Sequence, residues 1–223
     1  MKLRTVRVKP LAIGSALALF LLPSPGAWAG TYCNGVHVTI MGTAGDDVIE
    51  GTHAADVIDA GAGNDVVEGF EGNDTICGGA GDDEIHGGPG LDLMLLGDGA
   101  DFGPGGAGAD RIFGENGDDE IPGDAGADNI EGGSGQDILV GLQGDDLIRG
   151  GAGQDEVAGA QGDDSLSGEA DADHLWGGAG NDVLSGGDGN DQLDGELGGN
   201  RLNGDAGTDI CANGTPTNCE ATG

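Results

Sequence analysis

Between Gly42 and Ala212 an aliphatic residue recurs every nine positions with two exceptions, and no other position of that period is consistently apolar. Read in blocks of nine, the chain runs GTAGDDVIE, GTHAADVID, AGAGNDVVE, GFEGNDTIC and onward to GDAGTDICA, 19 blocks without an insertion or deletion. The eighth position is Ile, Leu, Val or Met except at Gly103 and Cys211. Position 1 is Gly except at Ala60 and Leu96, position 4 is Gly except at Ala54 and Asp171, and position 6 is Asp except at Asn200. Positions 7 and 9 are mixed and mostly polar. An apolar residue between two outward neighbours is the alternation of a short β-strand, whereas glycine this frequent forbids helix. The block therefore predicts a six-residue turn ending in Asp, followed by a three-residue strand with its middle side chain inward.

Repeats of this length cannot bury a core singly and must stack. Two blocks make one 18-residue coil, and successive coils pair in parallel about 4.8 Å apart. The expected architecture is all-β: a parallel solenoid of about nine and a half coils, a rod roughly 45 Å long at that spacing. Its interior is thin, with one core side chain in nine residues.

The stacking changes the meaning of the acidic residues. Each position-6 Asp comes to lie beside the Asp 18 residues on, giving two carboxylate ladders, one on each edge. Closely spaced carboxylates repel unless a cation lies among them. Carboxylates with turn carbonyls form a hard, all-oxygen donor set that suits Ca²⁺; Mg²⁺ holds its water and demands a rigid octahedron. There are 17 pairs one coil apart, the ceiling for such sites.

The block matches the G-G-x-G-x-D-x-(apolar)-x nonapeptide, and over residues 42–212 the chain resembles the RTX, or haemolysin-type calcium-binding, repeat family. The resemblance implies a right-handed parallel β-roll, a calcium-bound β-solenoid. It also implies Ca²⁺ held between turns by turn carbonyls and by the side chains of Asp47, Asp56, Asp65, Asp74, Asp83, Asp110, Asp119, Asp128, Asp137, Asp146, Asp155, Asp164, Asp173, Asp182, Asp191 and Asp209. Asp92 and Asp101 are expected to bind weakly. They lie in GGPGLDLML and LGDGADFGP (87–104), where Leu91 and Leu96 take turn positions, Gly103 removes a core side chain and Pro104 follows it. GEADADHLW (168–176) and GELGGNRLN (195–203) are the other blocks expected to bind poorly.

Charge and the chain ends complete the reading. The whole chain has a net charge of −34; four of its seven basic residues fall in the first 29, so residues 30–223 set Arg111, Arg149 and Arg201 against 41 acids, a charge of −38. Such a surface repels nucleic acid and anionic membranes and attracts cations. Lys2, Arg4, Arg7 and Lys9, the apolar run 11–22 and Ala27-Trp28-Ala29 read as a cleavable signal peptide over 1–29. The expected product is a secreted, extracellular protein, more similar to stand-alone calcium-binding repeat proteins than to toxins. Residues 30–41 are expected to be a capping strand with Ile40 inward, 42–212 the roll, and 213–223 a C-terminal cap. In that compartment four cysteines predict two disulfides with three possible connectivities, of which proximity favours Cys33–Cys77 with Cys211–Cys219.

No H-E-x-x-H or G-x-S-x-G motif occurs, so catalysis is not expected. The function expected is multiple Ca²⁺ binding coupled to folding. The alternative is a calcium-dependent adhesion or surface-interaction module, with Leu93, Leu95 and Phe113 facing outward as a candidate partner contact.

Overall fold

The computed structural model describes residues 32–219, and the proposed signal peptide lies outside them. The chain is an all-β, right-handed parallel β-roll. Every parallel pair within the repeats joins residue i to residue i + 18, as in Leu93↔Arg111 and Leu166↔Leu184. One broad sheet has eleven strands, from Ile40–Met41 through Val57–Ala62, Thr75–Ala80 and Leu93–Asp98 to Arg201–Gly207 and Thr215–Thr217. The facing side is less continuous. Three strands, Val48–Glu50, Val66–Glu68 and Glu84–His86, form one sheet. Only single bridges through Phe102 carry that pairing on to Glu120.

The strands are longer than the three residues expected. Thr75–Ala80, Leu147–Ala152 and Ser165–Ala170 each run from position 7 through position 3 of the next block. Alternation continues across the block boundary, so position 1 points inward beside position 8, and a glycine there leaves room for the position-6 carboxylate. The position-8 row from Ile49 to Leu202 is almost wholly shielded from water and forms the single core.

One expectation is corrected. Leu96, placed in a turn by the block pattern, is fully buried. A Cβ on Gly103 would lie 2.7 Å from Leu96 Cδ1. Leu96 thus occupies the volume that Gly103 vacates. The two irregularities compensate each other, and the core passes through this coil without a gap.

The ends differ from the coils. Tyr32–Cys33 and Val36–His37 form an antiparallel hairpin outside the roll, while Ile40 pairs with Ile58 in the core phase expected for it. Cys33 bonds Cys77, tying the hairpin to the eleven-stranded sheet. At the other end Thr215–Thr217 pairs with Arg201–Asn203, and Cys211 bonds Cys219.

Position 2 adopts positive φ in every block from the third to the nineteenth, including Phe70 (67°), Leu142 (74°) and Ala160 (79°). A side chain at such a φ costs roughly 1–2 kcal/mol, and glycine removes that cost while adding unfolded-state entropy. Ala160→Gly is therefore expected to be neutral to stabilising by up to about 1 kcal/mol, read as a midpoint that holds or rises in denaturant melts with Ca²⁺. A loss of more than about 1 kcal/mol would contradict that account of the turn.

Candidate functional site

The parallel stacking places the position-6 Asp side chains in two buried rows along the edges. Each row is a hydrogen-bonded ladder. The Asp47 amide donates to Asp65 Oδ1 at 2.7 Å and the Asp65 amide to Asp83 Oδ1 at 2.8 Å. The series continues to Asp191 and Asp209 with every bond between 2.7 and 3.0 Å. One carboxylate oxygen is thus spent on the preceding coil.

The other oxygen has no partner. Oδ2 is buried and accepts no hydrogen bond at Asp65, Asp74, Asp83, Asp92, Asp101, Asp110, Asp119, Asp128, Asp137, Asp146, Asp155, Asp164, Asp173, Asp182, Asp191 and Asp209. Asp92 and Asp101, in the irregular blocks, keep the same ladder bonds and the same bare oxygen as the rest. A buried carboxylate oxygen left unpaired costs more than a neutral group in that state, and sixteen in register demand a common partner.

The surroundings say what kind of partner. Around Gly105, a position-1 glycine, a Cβ would meet Asp110 Oδ2 and the Gly123 carbonyl oxygen at 2.9 Å each. Around Gly87 it would meet the Gly105 carbonyl oxygen at 2.5 Å and Asp92 Oδ2 at 2.9 Å. In both places the bare oxygen and a carbonyl oxygen of the next coil border the same space beside the position-1 glycine. Asn200, the one amide in the rows, supplies the complementary evidence. Its Oδ1 takes the Asp182 amide at 2.8 Å, as an Asp would. Its Nδ2 donates to the Gly195 carbonyl and to the Asn213 carbonyl at 3.3 Å. Where an amide replaces the carboxylate, its donor bonds the carbonyl of its own position-1 glycine and that of the cap residue 18 positions further on. In the Asp blocks a cation would satisfy both kinds of acceptor, and this hard, all-oxygen donor set fits Ca²⁺. Among the described residues no three His, Cys, Asp or Glu side chains converge, so an ion held in these rows would need main-chain carbonyls as well.

Burial is the main cause that raises these carboxyl groups above the usual Asp range. Asp83, Asp92, Asp119, Asp128 and Asp173 are pushed up to about 7, and Asp65, Asp137 and Asp164 to about 6. The five highest each feel the row carboxylates one coil before and one coil after, while the ladder amide pulls in the opposite direction. Asp74, Asp101, Asp110, Asp146, Asp155, Asp182 and Asp191 are raised as well, by burial first.

Two row members stand apart. Asp47 Oδ2 accepts the Thr43 amide at 2.6 Å and Thr43 Oγ1 at 2.8 Å; Asp56 Oδ2 accepts the Thr52 amide at 2.7 Å and Thr52 Oγ1 at 2.8 Å. Neither oxygen is bare.

A second, outer ladder escaped the sequence reading. The position-5 side chains of Asp46, Asp118, Asp145 and Asp163 accept the position-5 amide of the next coil, at 2.8–2.9 Å. Its polarity is opposite to that of the inner rows. The scattered Asp and Asn of position 5, read at intervals of 18 rather than nine, were the signal for it.

The candidate contact residues lie together. Leu95 pairs with Phe113 in the eleven-stranded sheet. With Leu93, Arg111, Glu131 and Asn34 of the hairpin they line a groove of about 310 Å³. The Arg111 guanidinium lies 5.6 Å from the Phe113 ring centre.

A family model described as the RTX calcium-binding nonapeptide repeat (4 copies) matches residues 39–67, 68–102, 104–139, 122–157, 131–166, 159–193, 167–202 and 185–214. Comparison with curated proteins gives no match.

Proposed function

The chain belongs to the RTX calcium-binding nonapeptide repeat family, and on that premise we propose that its two Asp rows hold Ca²⁺ ions whose binding supplies the free energy of folding. The repeats of this family are structural rather than catalytic, and the protein is a calcium-binding β-solenoid. The observation that carries the residue-level reading is the set of sixteen buried, unpartnered Oδ2 atoms.

Asp65 to Asp191 and Asp209 would hold the ions together with position-1 carbonyls. Bound calcium would neutralise charge that otherwise drives coils apart. Binding energy then becomes folding energy, since an unfolded chain has no stacked rows. Extracellular modules bind Ca²⁺ at about 10⁻⁴–10⁻³ M. Members of this family are typically secreted, which matches that range. Residues 1–29 would direct export by their basic start, apolar run and Ala-Trp-Ala end.

Calorimetric titration of the EDTA-stripped, dialysed protein tests the reading. Uptake should approach the sixteen bare oxygens in number, with Mg²⁺ in tenfold excess failing to compete. Uptake of only one or two ions, or equal competition by Mg²⁺, would defeat it. A second reading, contact with a surface or protein partner through Leu93, Leu95 and Phe113, is favoured by the groove these residues line beside Arg111.

A further inference from the structure

The first coil departs from all later coils in sequence, backbone and hydrogen bonding at once. Position 2 is β-branched only at Thr43 and Thr52. These are also the only two blocks whose position 2 lacks a positive φ. The left-handed region is especially unfavourable for a β-branched residue, so threonine and the ordinary backbone belong together. With that backbone, each position-2 amide donates to the carboxylate four residues on, and the hydroxyl adds a second bond. One residue type thus changes the turn and completes the anion's hydrogen bonding.

Neighbouring features secure the same end without metal. Thr39 Oγ1 accepts the Val57 amide at 2.9 Å, replacing the carbonyl that a preceding Asp would offer, as Asp47 does for Val66 at 2.9 Å. The Cys33–Cys77 disulfide holds the hairpin against the strand Thr75–Ala80. Neither row carboxylate of the first coil has a bare oxygen, whereas every position-6 Asp after it does.

We propose that the first coil, residues 42–59, is a metal-free end plate in which Thr43 and Thr52 take the place of Ca²⁺ at Asp47 and Asp56, so that calcium occupancy begins at Asp65 and Asp74. This deepens the calcium reading and rests on it for the later coils. In a stacked array each repeat contacts only its neighbours. A coil that forms without calcium presents the Asp47 and Asp56 amides in place to receive the carboxylates of Asp65 and Asp74.

The test is hydrogen exchange read by mass spectrometry on the disulfide-intact full chain in EDTA at pH 7.5. Peptides covering 40–60 are expected to exchange at least tenfold more slowly than peptides covering 130–150. Thr43→Gly with Thr52→Gly should abolish that difference. Thr43→Val with Thr52→Val keeps the β-branched backbone and one of the two bonds, and should retain part of it. Equal exchange of the two regions in the wild-type chain would overturn the proposal, as would protection unchanged in the glycine variant. Calcium plays no part in this measurement, so a failure here is distinct from a failure of the calorimetric titration.

Discussion

Stripping calcium at pH 7.5 is expected to convert the roll into a largely unordered chain, and acidifying the stripped chain to about pH 5.5 is expected to restore part of the β-structure. The first half follows from sixteen buried carboxylate oxygens without partners, in rows that raise one another's energy. The second follows from the direction in which their acidities move. In the metal-free roll burial pushes Asp83, Asp92, Asp119, Asp128 and Asp173 up to about 7, against an ordinary value near 3.8. Between those limits the folded chain holds protons that the unfolded chain has released. Stability must therefore fall as pH rises through about 6–7 and grow as pH falls toward 4. An ordinary salt-bridged Asp behaves in the opposite way.

Calcium affinity should respond inversely, because protons and Ca²⁺ compete for the same carboxylates. Far-ultraviolet circular dichroism across pH 5–8, with EDTA and with Ca²⁺, reads both effects. A stripped chain that stays fully β at pH 7.5 would show that the bare oxygens do not limit folding. A stripped chain that loses structure on acidification would refute the assigned cause.

Gly144→Ala is expected to destabilise the roll severely, and Gly45→Ala hardly at all, although both glycines hold position 4. Gly144 has φ +137°, and a Cβ there would overlap the Gly126 carbonyl oxygen one coil back. That neighbour is backbone, fixed by ladders on both sides, so relief requires the coils to part. The expected loss is on the order of 3 kcal/mol or more. Gly45 has no such φ, and a Cβ on it would meet nothing within 4 Å. Its counterpart in the second block is already Ala54. Denaturant melts in Ca²⁺, with limited proteolysis near 126–144, separate the two variants. Equal stability would mean that coil spacing is looser than the glycine contacts require.

The nine-residue period determined most of this architecture unaided. An aliphatic residue in nine, with Gly and Asp in fixed phase, permits only short parallel strands stacked every 18 residues, because no other packing buries that row. The carboxylate ladders follow from the same arithmetic, since identical positions must superpose. Spacing could not reveal how each carboxylate after the first coil divides its oxygens, with one tied to the preceding coil and the other bare. That division depends on where a main-chain amide points.

For the same reason Thr43 and Thr52 read in sequence as minor variants of a turn, and only the fold shows them completing Asp47 and Asp56. Leu96 and Gly103 are the packing counterpart. Each breaks the block when taken alone, and they reconcile because the coil brings a position-1 side chain over the space of the next position 8. Periodicity is a property of positions and is legible in a string. Compensation is a property of volumes and hydrogen-bond directions, which exist only once the coils are stacked.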